Sequence, residues 1–316
     1  MRIAVVGAGR WGMNLIQQLC DLLTPSEVRV IDLDTNRLRM AQEQFPGITV
    51  STCLESVLAD GETEAVVVAT PATTHPSVAA QALRAGKHVF VEKPLALSAA
   101  EAEELADLAD ERERVLMVGH LLLYQPAVRR IKSAVESGLL GELWSVHQER
   151  LNLGTVRSVE NALWSLGVHD VAVLLHVVGR SPQRVAASGQ AVLQEGVHDD
   201  VYVHMTFDGG LQAHLHVSWL WPEKRRRLTV VGSRAMLVYD EVSQEVSLFR
   251  RRIGDGLTPV DEGVETFSQG TGNPLRLEMM HFLECVRGGV KPLSDGRSAV
   301  AVVRVLEYAS RSLGGT

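Results

Sequence analysis

A chain of 316 residues with 46% hydrophobic and 22% charged residues has enough apolar side chains to exclude global disorder and enough length for about two domains. Its 31 Lys and Arg against 38 Asp and Glu leave a net charge of −7, so no basic field exists to hold nucleic acid or an anionic membrane, and an anionic ligand must be met by a local site. No apolar run approaches the ~20 residues of a membrane span. Cys20, Cys53 and Cys285 have neither metal nor disulfide spacing, so a reduced, cytoplasmic protein is expected.

The opening Ile3-Ala4-Val5-Val6 is apolar on both faces, as a strand inside a parallel sheet must be. It runs into Gly7-Ala8-Gly9-Arg10-Trp11-Gly12, then into a helical stretch over 13–23. Val28-Arg29-Val30-Ile31 reads as a second strand ending at Asp32, 20 residues beyond Gly12. In this strand–turn–helix context the glycine string predicts a dinucleotide site. Gly7 makes the tight turn, Gly9 lets backbone N–H groups approach a pyrophosphate, and Gly12 lets helix pack on strand. Asp32 would accept hydrogen bonds from the adenosine ribose and repel a 2′-phosphate, favouring NAD over NADP, although Arg10 and Arg37 could each reach a phosphate.

Strand–helix alternation continues with an apolar strand over 65–69 and a helix over 77–85 stopped by Gly86. A strand over 88–91, the turn Glu92-Lys93-Pro94, an acidic helix over 98–113 and a strand over 115–118 follow. Repeated units of this kind predict a doubly wound parallel sheet whose ligands lie at the carboxyl ends of the strands. Thr73, His75, Glu92 and Lys93 all fall just beyond such ends. A lysine between a buried strand and a proline, on the ligand side of that sheet, is a candidate for chemistry rather than a solvated charge.

The composition shifts after Gly119, so a dinucleotide-binding domain over 1–120 and a second domain over 121–316 are expected. The second opens with a helix over 126–137 and a long strand over 142–152. Ser165 and His169, four apart on an expected helix, would share a face. Val201, Val203, Met205 and Phe207 alternate with Tyr202, His204 and Thr206; Leu211, Ala213, Leu215 and Val217 alternate with Gln212, His214, His216 and Ser218. With Asp208-Gly209-Gly210 between them, these predict an antiparallel hairpin. Helices near 169–178, 274–286 and 298–312 are available to cover the apolar face. The fold class is therefore α/β, a Rossmann-type parallel sheet followed by an α+β domain with a large, mostly antiparallel sheet. Its open face, bearing His204, His214 and His216, lacks the carboxylates or cysteines of a metal site and suits a subunit interface. Arg150 and Arg157 could grip a diphosphate or carboxylate, or pair with surface glutamates. The Lys224-Arg225-Arg226-Arg227 run suits a solvated strand entrance or a subunit contact better than a nucleotide grip.

Gly7 to Gly12, the run Ala69-Thr70-Pro71-Ala72-Thr73-Thr74-His75 and Gly86-Lys87-His88-Val89-Phe90-Val91-Glu92-Lys93-Pro94 resemble the glucose–fructose oxidoreductase/inositol dehydrogenase (Gfo/Idh/MocA) family. In the second half, Tyr124-Gln125-Pro126-Ala127, Glu149 to Gly154 with Arg157, Trp164 to Asp170 and Ser218 to Lys224 resemble the branch acting on UDP-N-acetylhexosamines or their uronic acids. The resemblance implies cofactor contacts at Gly7, Gly9, Arg10, Trp11, Gly12, Asp32, Thr70, Pro71, Thr73, His75, Glu92 and Lys93. It implies substrate contacts at Lys93, Tyr124, Arg150, Asn152, Arg157, Ser165 and His169, a cis Lys93–Pro94 bond, and homodimers or homotetramers built on the open sheet face. Many relatives carry aspartate where this chain has Ser165, which shifts responsibility from His169 towards Lys93. The expected activity is hydride transfer between NAD and a secondary alcohol, C3 by the resemblance, of a nucleotide-linked amino sugar, with Lys93 and His169 catalytic. The alternatives are an NADPH-dependent ketoreductase of a deoxysugar nucleotide, or a non-catalytic dinucleotide sensor, which would have no use for Lys93 and His169.

Overall fold

Because Ile3 to Val6 are buried on both faces, their strand sits inside a sheet, with helices above and below. The computed structural model describes residues 1–268 and 272–314, which divide into two compact units, Met1–Leu121 with Asn273–Val303 and Leu122–Gly272 with Arg304–Thr316. In the first, β1 (Arg2–Val6) leads to α1 (Arg10–Leu22), β2 (Val28–Ile31), α2 (Thr35–Gln44), β3 (Thr49–Ser51), α3 (Leu54–Leu58) and β4 (Thr63–Val68). Then come α4 (His75–Arg84), β5 (His88–Val91), α5 (Ala99–Glu111) and β6 (Leu116–Val118). All six strands pair in parallel in the order β3-β2-β1-β4-β5-β6. The order reverses between β1 and β4, which opens a crevice at the carboxyl edge. Ser98 caps α5 by accepting from the Glu101 amide, and α4 begins with Pro76 in its first turn, where a missing N–H costs nothing.

The second unit contains α6 (Pro126–Glu136), β7 (Leu143–Leu153), a π-helical turn Leu163–Gly167 and α7 (Val168–Val178). The remaining strands are β8 (Arg184–Gln190), β9 (Asp200–Thr206), β10 (Gln212–Ser218), β11 (Leu220–Gly232), β12 (Met236–Asp240), β13 (Glu245–Ile253) and β14 (Pro259–Ser268). They form one sheet in the order β14-β13-β12-β11-β7-β10-β9-β8, antiparallel except for the β7–β10 pair. The expected hairpin is present: Thr206 faces Gln212 across a turn in which Gly209 and Gly210 hold positive φ. Alternation decides the faces, so Val201, Val203, Met205, Ala213, Leu215 and Val217 are all buried.

The C-terminal helices depart from expectation. α8 (Pro274–Gly288) belongs to the first unit and packs on α1, with Phe282 edge-on to Phe90 at 5.7 Å between ring centroids. By this division the units are not the contiguous blocks 1–120 and 121–316. An amphipathic helix carries no mark of which apolar surface it will meet. The division falls within α9 (Gly296–Ser312), after Val303.

Candidate active site

The glycine turn forms as its composition requires. Gly7 adopts φ +104°, and a Cβ there would lie 2.5 Å from the Ala69 carbonyl oxygen; one at Gly12 would collide with the carbonyl of Gly7. Helix α1 starts at Arg10, earlier than the sequence pattern indicates, with Gly9 as N-cap, no side-chain cap and no acidic residue in its first turn. Its leading N–H groups are therefore left to an anion. Asp32 stands at the end of β2, where its Oδ2 accepts from the Ala8 amide at 2.7 Å and its Oδ1 from the Asp34 amide at 2.9 Å. Arg37 lies 3.7 Å from the same carboxylate, while Arg10 is exposed. The turn thus has the shape, donors and neighbouring carboxylate that a dinucleotide needs.

Two further loops rise at the carboxyl edge. Thr70, Pro71 and Thr73 lead into α4, with Thr74 donating to the Thr70 hydroxyl at 2.8 Å. His75 is 1% exposed and sets Nδ1 2.8 Å from the Pro94 carbonyl and Nε2 2.8 Å from the Thr70 carbonyl. A neutral tautomer donates to one of these carbonyls and an imidazolium to both. Burial holds the ring below the usual histidine range, with the Lys93 ammonium acting in the same direction. His75 therefore ties two ligand-edge loops together, and both its nitrogens are engaged by the backbone.

The Lys93–Pro94 bond is cis, and Lys93 is half-buried directly after β5. Before it, the buried Glu92 carboxyl accepts from Trp11 Nε1 and, at 3.2 Å, from the Lys93 amide. Burial pushes Glu92 up to about 7, against the opposing pull of Trp11 and the Lys93 charge. Gly119 is the floor of this arrangement: a Cβ there would sit 2.9 Å from Glu92 Oε2. Sequence reasoning missed two residues close to it. Glu278 of α8 is fully buried, both its oxygens lack a hydrogen-bond partner, and burial with the Glu92 charge raises its carboxyl well above the usual range. His120 is 2% exposed, both its ring nitrogens lack a partner, and burial with the Lys93 ammonium pushes it down to about 3. No local motif marks either; only the position of His120 just past a strand end was a signal.

In the second unit the expected substrate residues separate into two kinds. Arg150 is buried, with Nε 2.7 and 2.9 Å from the two Asp170 oxygens and Nη2 3.0 Å from Glu241 Oε2. Burial opposes its charge, but the two carboxylates outweigh burial and raise the guanidinium. Gln148 donates to Asp170 at 2.6 Å, Arg226 to Glu241 at 2.9 Å, and Tyr239 to Gln125 at 3.2 Å. These groups line a cavity of about 10 Å³, the scale of a single water. Arg150 is thus committed to protein partners, and Arg226 of the basic run joins them. The other expected residues are not members of that cluster. Arg157 is exposed, 3.7 Å from Glu160. Asn152 keeps its buried Oδ1 without a hydrogen-bond partner. Tyr124 is fully buried under the Arg129 guanidinium. Ser165 and His169 are half-buried, Ser165 in the π-helical turn and His169 second in α7. Bonding of i to i+5 widens that turn, so the four-residue spacing no longer stacks the two side chains as an α-helix would.

On the open sheet face, His204 and His214 bring their Nδ1 atoms to 2.8 Å, His147 stacks on His214, and Tyr202 stacks on His216. Among the described residues no three His, Cys, Asp or Glu side chains are grouped to hold a metal. No helix among the described residues is long and apolar enough to cross a membrane.

Residues 1–120 match the family model described as oxidoreductase family, NAD-binding Rossmann fold, and residues 128–238 match the GFO/IDH/MocA C-terminal domain. UDP-N-acetylglucosamine 3-dehydrogenase of Acidithiobacillus ferrooxidans is 29% identical over 319 residues, spanning 98% of this chain and 95% of that protein. The scyllo-inositol 2-dehydrogenase (NADP(+)) of Bacillus subtilis is 26% identical, spanning 99% and 93%. Among solved structures, the same Acidithiobacillus enzyme superposes with a TM-score of 0.86 at 25% identity, covering 99% of this chain and 97% of that one. GenD2 from gentamicin A biosynthesis, in complex with NAD, gives 0.83 at 28%, covering 99% and 94%. With both domain models matched in order along the chain, this protein belongs to the GFO/IDH/MocA family and is an oxidoreductase.

Proposed function

We propose that the enzyme uses NAD to oxidise a secondary alcohol, C3, of a nucleotide-linked amino sugar such as UDP-N-acetylglucosamine or its uronic acid. The observation that carries the reading is the placement of Lys93 at the carboxyl edge of the parallel sheet, directly after β5 and beside the buried Glu92, His75 and His120. A bound nicotinamide dinucleotide supplies the hydride acceptor. The N–H groups opening α1 hold its pyrophosphate, Asp32 accepts from its adenosine ribose, and Trp11, Thr70, Pro71, Thr73 and Glu92 shape the cleft beside it. Lys93 donates to the carbinol oxygen and steadies the negative charge that develops there. A free lysine near pKa ~10.4 is a poor base at neutral pH, whereas histidine near ~6.5 is well matched, so His169 is assigned the proton. Tyr124, Asn152, Arg157 and Ser165 are assigned to the substrate, the exposed Arg157 to its diphosphate or carboxylate.

The dehydrogenase of Acidithiobacillus ferrooxidans, similar along nearly the whole chain, supports the substrate class. One observation favours a second cofactor reading: Arg37, 3.7 Å from Asp32, could turn to a 2′-phosphate, and NADP would then serve, as in a ketoreductase. We also propose a cytoplasmic homodimer or homotetramer joined through the open sheet face, where the exposed Tyr202 stacks on His216. The test is NADH formation from NAD⁺ or NADP⁺ with either UDP sugar, at stoichiometric enzyme so that a single turnover registers. Lys93→Ala is expected to lower the rate by about 10²–10⁴-fold while leaving NAD⁺ affinity within a few-fold. Silence of the parent with both sugars, despite demonstrated cofactor binding, would discard the substrate class.

A further inference from the structure

His120 is a polar side chain buried without a purpose in the protein alone. It follows β6 at the carboxyl edge, where its amide donates to the Val118 carbonyl at 2.7 Å. The Gly119 amide donates to the Val91 carbonyl at 2.8 Å, which sets His120 beside the end of β5 and the Glu92-Lys93 turn. Its ring is 2% exposed, and neither nitrogen has a hydrogen-bond partner. Native proteins rarely leave both polar atoms of a buried imidazole dry, because water has been surrendered and nothing has replaced it. Glu92 does not fill the gap, since its carboxyl is tied to Trp11 and the Lys93 amide.

We infer that His120 is a cofactor-binding residue that takes the nicotinamide carboxamide. The inference rests on the dinucleotide reading above and adds to it the group that recognises the reactive end. Sheet order supports the placement. The adenosine-side carboxylate, Asp32, ends β2, on one side of the β1/β4 reversal, and His120 follows β6 at the far end of the other side. A dinucleotide lying across the reversal point puts its two halves on opposite sides of it. Chemical matching gives the second argument. Burial, with the Lys93 ammonium acting in the same direction, pushes the ring down to about 3, and a neutral imidazole offers one N–H donor and one acceptor nitrogen. A carboxamide offers one carbonyl acceptor and one NH₂ donor, and it is the neutral polar group of the nicotinamide ring. A substrate hydroxyl could also bond to His120, and the experiment separates the two.

Equilibrium titration of the whole protein with NAD⁺ and with ADP-ribose, which lacks the nicotinamide, provides the readout. His120→Phe is expected to weaken NAD⁺ by about tenfold while holding ADP-ribose within about twofold, and His120→Asn, which keeps a donor and an acceptor, should recover part of the loss. The unaltered protein supplies a control that requires no variant: nicotinic acid adenine dinucleotide, with a carboxylate in place of the amide, should bind more weakly than NAD⁺. Equal affinity for those two dinucleotides overturns the inference. So does unchanged NAD⁺ affinity in His120→Phe, including the case in which only substrate binding falls, or equal weakening of NAD⁺ and ADP-ribose. If the parent binds neither NAD⁺ nor ADP-ribose, the dinucleotide reading itself fails, and this inference falls with it.

Discussion

Two buried polar clusters, one in each unit, are built differently. Around the Glu92-Lys93 turn, His120 and Glu278 are sealed from solvent with no hydrogen-bond partner on their titratable atoms. Behind α7, the buried Arg150 bonds to the buried Asp170 and to the half-buried Glu241. A satisfied network can be expected to hold structure, while an unsatisfied one beside a strand's carboxyl end is a place made for something else. The contrast separates Arg150 from Lys93, two cations that composition alone treats alike.

Breaking the satisfied network should have the larger effect on stability. Asp170→Ala leaves Arg150 charged and buried beside a single carboxylate, and about 3–5 kcal/mol of unfolding free energy should be lost, measurable by denaturant titration. A loss below 1 kcal/mol would mean that solvent reaches the pair and that the contrast between the units is false. The carboxyls around the Glu92-Lys93 turn should respond to pH instead. Glu92 and Glu278 have folded-state pKa values raised above the unfolded value, Glu92 to about 7. The folded protein then holds more protons than the unfolded chain above pH ~4.3, and stability is lost as pH rises through the window up to the folded pKa. For Glu92 the loss is on the order of 3 kcal/mol between pH 4.5 and 7. Glu278→Gln should gain on the parent in ligand-free unfolding free energy as pH goes from 5 to 8; parallel curves would show that Glu278 is not held protonated. The smallest effect belongs to the surface. Arg157, exposed near Glu160, should change stability by less than about 0.5 kcal/mol when replaced by alanine, while UDP-sugar affinity falls. Unchanged sugar affinity would remove Arg157 from the substrate residues.

Much of the first unit can be read directly from the chain because its signals are local. A glycine string between a strand and a helix, a carboxylate 20 residues on, and a lysine pinned between strand and proline each stand within one segment. The misreadings arise where the partner is distant. Nothing in Glu149-Arg150-Leu151 marks which face Arg150 takes, and only its bonds to Asp170 of α7 and to Glu241 show that its guanidinium is enclosed. Glu278 sits on a helix whose apolar face is legible but whose destination against α1 is not. Its relation to Glu92, across most of the chain, has no pattern in sequence. The π-helical turn at Ser165 escapes periodicity for a different reason, since a single widened turn is too short to shift an apolar pattern.

The far edge of the large sheet has a consequence of its own. β14 is a border strand, mostly exposed, and its Asp261, Glu262 and Glu265 are matched by Arg251, Arg252 and Arg250 on β13. Such surface pairs contribute little to folding. What they do is fringe a row of open backbone groups with charges of both signs, so that an extended segment of another molecule meets hydrated side chains before it can zip onto the margin. The margin is thereby a poor template for edge-to-edge pairing.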